Sequence, residues 1–227
     1  MSKESDPIYM EVFSLDFRPS FYRVSREQKE NLLMEINQTL SAFRDGEVSL
    51  KLYRSIRYDA SFIVWLCTHS ADRIGDLASA LKTSSKGFVK IVMGLFSIYD
   101  ESPYLKKGVS LDDTVKEASG KYIVAYPMSK SNDWYQLPYE ERNSIMAEHI
   151  GTALSHPDNK GIRSYTTYSF GISDSEFVVI YEVENLVSWS RVTQKLREVK
   201  ARKWITSETP VLVGYRIDRI EFPGGGH

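Results

Sequence analysis

Cysteine is nearly absent from this chain. Its 227 residues hold one, Cys67, behind the apolar run Phe62 to Leu66. No intramolecular disulfide can form, and no Cys–X–X–Cys or Cys/His pair offers a zinc site. That usage belongs to a reducing compartment, so a cytoplasmic location is expected. An excess of one charge is also lacking: 29 basic residues face 30 acidic ones, for a net charge of -1. No long-range field would therefore gather nucleic acid or an anionic membrane surface, and any anionic ligand must be met by local groups. No apolar run approaches the ~20 residues of a bilayer-spanning helix, and Met1 to Asp6 has no apolar stretch behind its charges. Neither a membrane span nor a signal peptide is expected. Residues 223–227, which run into Gly224-Gly225-Gly226-His227, lack core-forming side chains and are expected to be a disordered tail. What is present is ordinary globular material, 42% hydrophobic and 26% charged, enough for one large or two small cores.

Ile8 to Phe17 alternates as a strand, and Ser25 caps a helical pattern that puts Leu32, Leu33, Ile36, Leu40 and Phe43 on one face. Strands follow at Val48 to Arg57 and Ser61 to His69, joined by the turn Tyr58-Asp59. A helix from Ser70 carries Ile74, Leu77, Ala78 and Leu81, and Phe88 to Tyr99 closes the unit. Residues 100–120 are polar, with Pro103 and a Lys106-Lys107-Gly108 break, and read as a connection over the surface. The order then begins again: strand Lys121 to Met128, helix from Pro138 to about Leu154, strands Lys160 to Gly171 and Glu176 to Glu182, helix Val187 to about Lys200, strand Pro210 to Phe222. Equivalent elements recur 112 to 115 residues apart, Tyr9 against Lys121 and Ser61 against Glu176. The expectation is an α+β fold of two tandem ferredoxin-like βαββαβ units, residues 8–99 and 121–222, whose sheets close into a β-barrel with external helices, the dimeric alpha-beta barrel arrangement.

In such a repeat, function is sought where the copies differ. Ile145, Met146, His149, Ala153 and Leu154 share one helical face, which turns the imidazole toward the sheet, while Ile36 holds the equivalent point of the first copy. A lone histidine so placed is more often a core residue satisfied by a carbonyl than a ligand, and spacing does not decide between the two. The strand from Lys121 directs Tyr122, Val124, Tyr126 and Met128 to one face, with Lys130 following in a Ser-rich turn. By composition, Tyr126 reads as a packed aromatic and Lys130 as a solvated turn residue. Asp133-Trp134-Tyr135 reads as an aromatic loop cluster, and Ser164 as a small residue among Ile162, Thr166, Tyr168 and Phe170 that leaves space beside it.

The run Tyr126-Pro127-Met128-Ser129-Lys130-Ser131, then Asn132-Asp133-Trp134-Tyr135, Glu140-Glu141-Arg142 and Glu148-His149, resembles the chlorite dismutase superfamily, particularly its coproheme decarboxylases. Gly171-Ile172-Ser173-Asp174, Glu176-Phe177, Tyr181-Glu182, Leu196-Arg197 and Thr209-Pro210-Val211-Leu212-Val213-Gly214 keep the family's order. The resemblance covers Lys121 to Gly214 well and the first half by architecture alone. It implies that His149 is the axial ligand of a heme iron, that Tyr126 is the tyrosine oxidised to attack coproheme propionates, that Lys130 contacts a propionate and that Met128 lines that edge of the pocket. It also implies a homopentamer.

Two positions depart from the family pattern. Ser164 stands where chlorite dismutases carry arginine and many bacterial decarboxylases glutamine, so the cation that would stabilise a hypochlorite is missing. Ala201 falls where chlorite dismutases place a glutamate that accepts a hydrogen bond from the proximal histidine. His149 also lies 22 residues before Gly171, about two more than the family interval, with His156-Pro157-Asp158-Asn159 as the inserted loop. The implied activity is hydrogen-peroxide-dependent oxidative decarboxylation of iron coproporphyrin III to heme b. The departures leave open a heme b binding, transfer or sensing protein instead, and disfavour chlorite dismutation.

Overall fold

The computed structural model describes residues 6–100, 110–116 and 120–222. The tail expected at 223–227, and residues 101–109 and 117–119 of the expected connection, lie outside the described residues. In chain order the elements are β1 (Ile8–Phe17), α1 (Pro19–Arg23), α2 (Arg26–Arg44), β2 (Ser49–Ser55), β3 (Phe62–Thr68), α3 (Asp72–Ser84), β4 (Val89–Tyr99), α4 (Leu111–Lys116), β5 (Tyr122–Lys130), α5 (Asn132–Gln136), α6 (Tyr139–Ser155), β6 (Arg163–Tyr168), β7 (Phe177–Val183), α7 (Leu186–Lys195), β8 (Ile205–Ser207) and β9 (Leu212–Ile217).

Local chemistry sets these boundaries. The Ser25 hydroxyl accepts from the Gln28 N–H at 3.2 Å while the Gln28 side chain accepts from the Ser25 N–H at 3.0 Å, a reciprocal cap that starts α2. The side chain of Asn185 accepts from the N–H groups of Val187 and Ser188 and starts α7. β6 is shorter than the Lys160 to Gly171 expectation. His156 Nδ1 accepts from the Asp158 N–H at 3.1 Å and Gly161 has φ +83°, so the chain is still turning until Arg163. That hydrogen bond gives His156 a local structural task. α7 stops at Lys195, and a 3-10 turn over Lys200–Trp204 then buries Ala201 and Trp204 beneath α6. Asp133-Trp134-Tyr135 is a short helix rather than a loop, with Trp134 buried against Trp204 at 5.4 Å between ring centroids.

Each set of four strands has the ferredoxin-like order, β4-β1-β3-β2 in the first and β9-β5-β7-β6 in the second. Antiparallel pairing of β2 with β9 and of β4 with β6 joins them into one closed eight-stranded barrel, with β8 added to the end of β5. At the β2–β9 seam a side chain at Gly214 would lie 2.8 Å from the Arg54 carbonyl oxygen, so the strands approach this closely because a glycine is there.

Alternate residues fill the lumen: Met10 and Val12 from β1, Ile63 and Trp65 from β3, Ile123 and Ala125 from β5, Val178 and Ile180 from β7. Leu111 and Val115 of α4 join this core. Part of the segment expected to run over the surface therefore contributes buried side chains, because its i, i+4 apolar pair forms a single-turn stripe too short to register as a period. Among these apolar groups lies Glu182, which accepts from Lys51 Nζ at 2.9 and 3.0 Å, from the Tyr53 hydroxyl at 3.2 Å and from the Tyr165 hydroxyl at 2.9 Å. A buried carboxylate needs such an array. Its partners come from both units.

The outer faces of the two units differ. Over the first sheet, α2 and α3 fill the interface with Leu33, Ile36, Leu40, Leu77 and Leu81. Over the second, α6 buries Ile145 alone.

Candidate functional site

α6 begins after Pro138, with Glu140 and Glu141 in its first turn complementing the helix dipole. Ile145 anchors it to Trp134, Val199, Ala201 and Trp204 rather than to the sheet. The rest of its inner face, carrying Met146, His149 and Ala153, stands away from β5, β6 and β7 and leaves a cavity of about 580 Å³. That lies within the roughly 300–1,000 Å³ of small-molecule sites. The sheet wall supplies Met128 and Lys130 from β5, Ser164 and Thr166 from β6, and Phe177 and Tyr181 from β7; Trp189 and Val192 of α7 and Leu196 just after it close the side. Met128, Lys130, His149 and Ser164 thus face one space.

Tyr126 lines an adjoining recess of about 110 Å³ instead of the large cavity, together with Met128, Lys130, His149, Tyr181 and Ala201. Its ring stacks on Tyr181 at 6.1 Å and 27°, and Tyr181 meets Trp189 at 4.1 Å. Burial raises the Tyr181 phenol above its ordinary value of 10.0, against the influence of the neighbouring Tyr126 and Ser164 hydroxyls. Burial, then the neighbouring Tyr181, holds the Tyr126 phenol well above its ordinary value of 10.0, so it is protonated at neutral pH. Tyr126 also lines a neighbouring groove, where Arg197 and Arg202 both pair with Glu208, the former at 2.6 Å.

His149 Nδ1 is buried with no hydrogen-bond partner. Ala201 shares the recess and has no acceptor to offer. Burial lowers the imidazole pKa below 6.5, and the charge of Lys130 lowers it further against an opposing effect of Glu208. His149 is therefore a neutral imidazole at neutral pH, and no carbonyl satisfies it as the core-histidine reading would require.

Lys130 is not a solvated turn residue. It ends β5, is 9% exposed and sits with Nζ 3.5 Å from the centre of the Trp134 ring. The groups that bury it, Trp134 and Met146, come from α5 and α6, which is why the flanking serines suggested a turn. Burial pushes its pKa down to about 8; Glu176 opposes and Arg142 reinforces the drop. Glu176 itself accepts from the Lys130 N–H and the Tyr135 hydroxyl, both at 2.7 Å.

Sequence reasoning quoted Arg142 within the family resemblance but gave it no role, and did not single out Trp189, Arg202 or Glu208. A signal existed for two of them: Arg142 and His149 are seven residues apart on one helix, and Trp189, Val192 and Leu196 make one stripe at helical spacing.

A closed barrel of two ferredoxin-like units with one open helix–sheet interface defines a recognisable class. The chain belongs to the chlorite dismutase family, whose profile, described as chlorite dismutase, matches residues 29–217. A coproheme decarboxylase of Mycolicibacterium smegmatis is 30% identical over 167 residues, 71% of this chain and 69% of that protein. A solved structure provisionally described as a chlorite dismutase is 41% identical, with a TM-score of 0.86 over 93% of this chain and 95% of its own. A structure described as a novel heme-binding protein from Thermus thermophilus shares the fold at 20% identity, with a TM-score of 0.79 over 95% and 92%. Among the described residues, no helix is long and apolar enough to cross a membrane.

Proposed function

We propose that the chain binds iron coproporphyrin III between α6 and the second sheet and oxidatively decarboxylates two of its propionates to vinyl groups, giving heme b at the expense of hydrogen peroxide. The observation that carries this reading is the neutral, unpartnered imidazole of His149 on a cavity of about 580 Å³. Among the described residues, no group of three or more His, Cys, Asp or Glu is arranged to hold a bare metal ion. A single neutral nitrogen suits iron whose remaining ligands come from a macrocycle. The names of the coproheme decarboxylase and heme-binding relatives support the same ligand class.

When bound, the iron tetrapyrrole supplies the means for peroxide to accept two electrons and become water. The rest falls to the chain. His149 would hold the iron, with no acceptor on Nδ1 to strengthen its donation. Lys130 would pair with a propionate and Met128 would line the same edge. Tyr126 starts as a protonated phenol. Oxidised by one electron with loss of its proton, it would take a hydrogen atom from the β-carbon of a propionate and so regain the phenol. Loss of the second electron from that carbon, with cleavage of the bond to the carboxylate, leaves the vinyl group and carbon dioxide. For each propionate, one peroxide and one proton are consumed and two waters form. Ser164 supplies no cation on the opposite wall, in keeping with this chemistry rather than chlorite dismutation.

The test mixes the ligand-free protein with iron coproporphyrin III and peroxide and then weighs the porphyrin. Loss of two carboxyl groups supports the enzyme, while tight binding with unchanged mass would make the protein a heme carrier or sensor. Sedimentation of the same preparation tests the homopentamer that membership of the family leads us to propose.

A further inference from the structure

Arg142 also lines the large cavity, and its buried Nε has no hydrogen-bond partner. It precedes His149 by seven residues on α6, two turns along one face and about 10.5 Å along the axis. Among the described residues, its guanidinium forms no ion pair. The carboxylate on this side, Glu176, already accepts from the Lys130 N–H and the Tyr135 hydroxyl. Lys130 reaches the same space from β5, with Nζ over the Trp134 ring. Two cations therefore face one end of the cavity, and a partly buried guanidinium with no counter-ion is a costly arrangement for the free protein. Among the described residues, no carboxylate lines the cavity.

We propose that Arg142 anchors a carboxylate of the ligand, and that with Lys130 it makes the end of the cavity at the first turns of α6 selective for the carboxylate-bearing rim of a tetrapyrrole. This rests on the tetrapyrrole reading above. The planar guanidinium offers two parallel N–H donors that match a carboxylate, whereas Lys130 offers a point charge. Placed two turns from His149, Arg142 reaches the periphery of a macrocycle whose centre faces the imidazole.

The experiment is a Soret titration of the ligand-free wild type, Arg142→Gln and Arg142→Lys proteins with iron coproporphyrin III and, separately, with its tetramethyl ester, which keeps the ring and removes the charges. A charge-assisted pair of this kind is worth about tenfold or more in affinity. Arg142→Gln should weaken binding of the free acid by about that factor and leave the ester within about twofold, and Arg142→Lys should fall between Gln and wild type for the acid. Unchanged affinity of Arg142→Gln for the acid overturns the proposal. So does equal loss of acid and ester, which marks a structural role. A wild type that takes up neither porphyrin overturns the tetrapyrrole reading itself, and this proposal with it.

Discussion

Lys130 carries a charge into a wall that water scarcely reaches, and the cost of that placement is measurable. The side chain is 9% exposed, with Nζ 3.5 Å from the Trp134 ring centre and 3.8 Å from the Met146 sulfur. Burial takes its pKa from 10.5 down to about 8, against the attraction of Glu176 and with the help of Arg142. At about 1.4 kcal/mol per pH unit, the drop is worth about 3 kcal/mol. Below pH 8 both folded and unfolded chains hold the lysine proton, and the folded state bears the whole cost. Between pH 8 and 10.5 the unfolded chain keeps a proton that the folded chain has lost, so stability rises with pH. Lys130→Met removes the charge and keeps a long apolar stem. Denaturant unfolding of both ligand-free proteins in half-unit steps from about pH 7 to about pH 10 should find the variant more stable at the low end and the gap smaller by about 2.5 kcal/mol at the high end. Tyr126 and the other buried phenols titrate above this window in both proteins and cancel in the difference. Parallel stability curves would refute the reasoning, since an unburied lysine has the same pKa in both states.

Tyr126→Phe should leave the affinity for iron coproporphyrin III within about twofold and abolish loss of carboxyl groups by mass spectrometry; normal turnover removes the phenol from the mechanism. His149→Ala should weaken binding of the same porphyrin by at least about tenfold and change its Soret band, and an unchanged band places the iron ligand elsewhere. Glu182→Gln leaves Lys51 inside the barrel without its carboxylate and should cost about 3–5 kcal/mol by denaturant unfolding. The paired change Lys51→Met with Glu182→Leu should recover most of that loss, and a single variant as stable as wild type contradicts the ion-pair account.

Element order was legible because apolar periods of two and 3.6 alternate cleanly through both halves, and the helix cap at Ser25 is written in the sequence. Short pieces were not: α4, α5, β8 and the turn at Lys200–Trp204 each span six residues or fewer and show no period. What buries them is distant in sequence, as with Trp134 against Trp204. The same limit governs the site. The inward face of α6 could be read from Ile145, Met146 and His149, but not the gap beneath it, because a void arises where two elements fail to meet. Tyr126 was visible as a residue on the right face of β5, whereas Lys130 was read by composition as a turn residue and drawn to the site only by the family resemblance. The partition of Tyr126 into a side recess and the burial of Lys130 depend on Tyr181, Trp134 and Met146, which other elements bring in.

The filled first unit explains how the second can stay open. An empty helix–sheet interface forfeits apolar burial, and a sheet so exposed would be free to shift unless something else fixed it. Here the lumen does so. Glu182 on β7 is held from inside by Lys51 and Tyr53 of β2, which reach it across the lumen from the first unit, and by Tyr165 of β6. Successive strand residues point to opposite faces, so fixing Glu182 inward also fixes Tyr181 outward, where it stacks on Tyr126 and Trp189. The first unit thus helps to determine the geometry of the recess through a buried carboxylate on the far side of the sheet. The flat, rigid tetrapyrrole proposed for this cavity would gain from walls set in this way, because their order does not depend on a ligand being present.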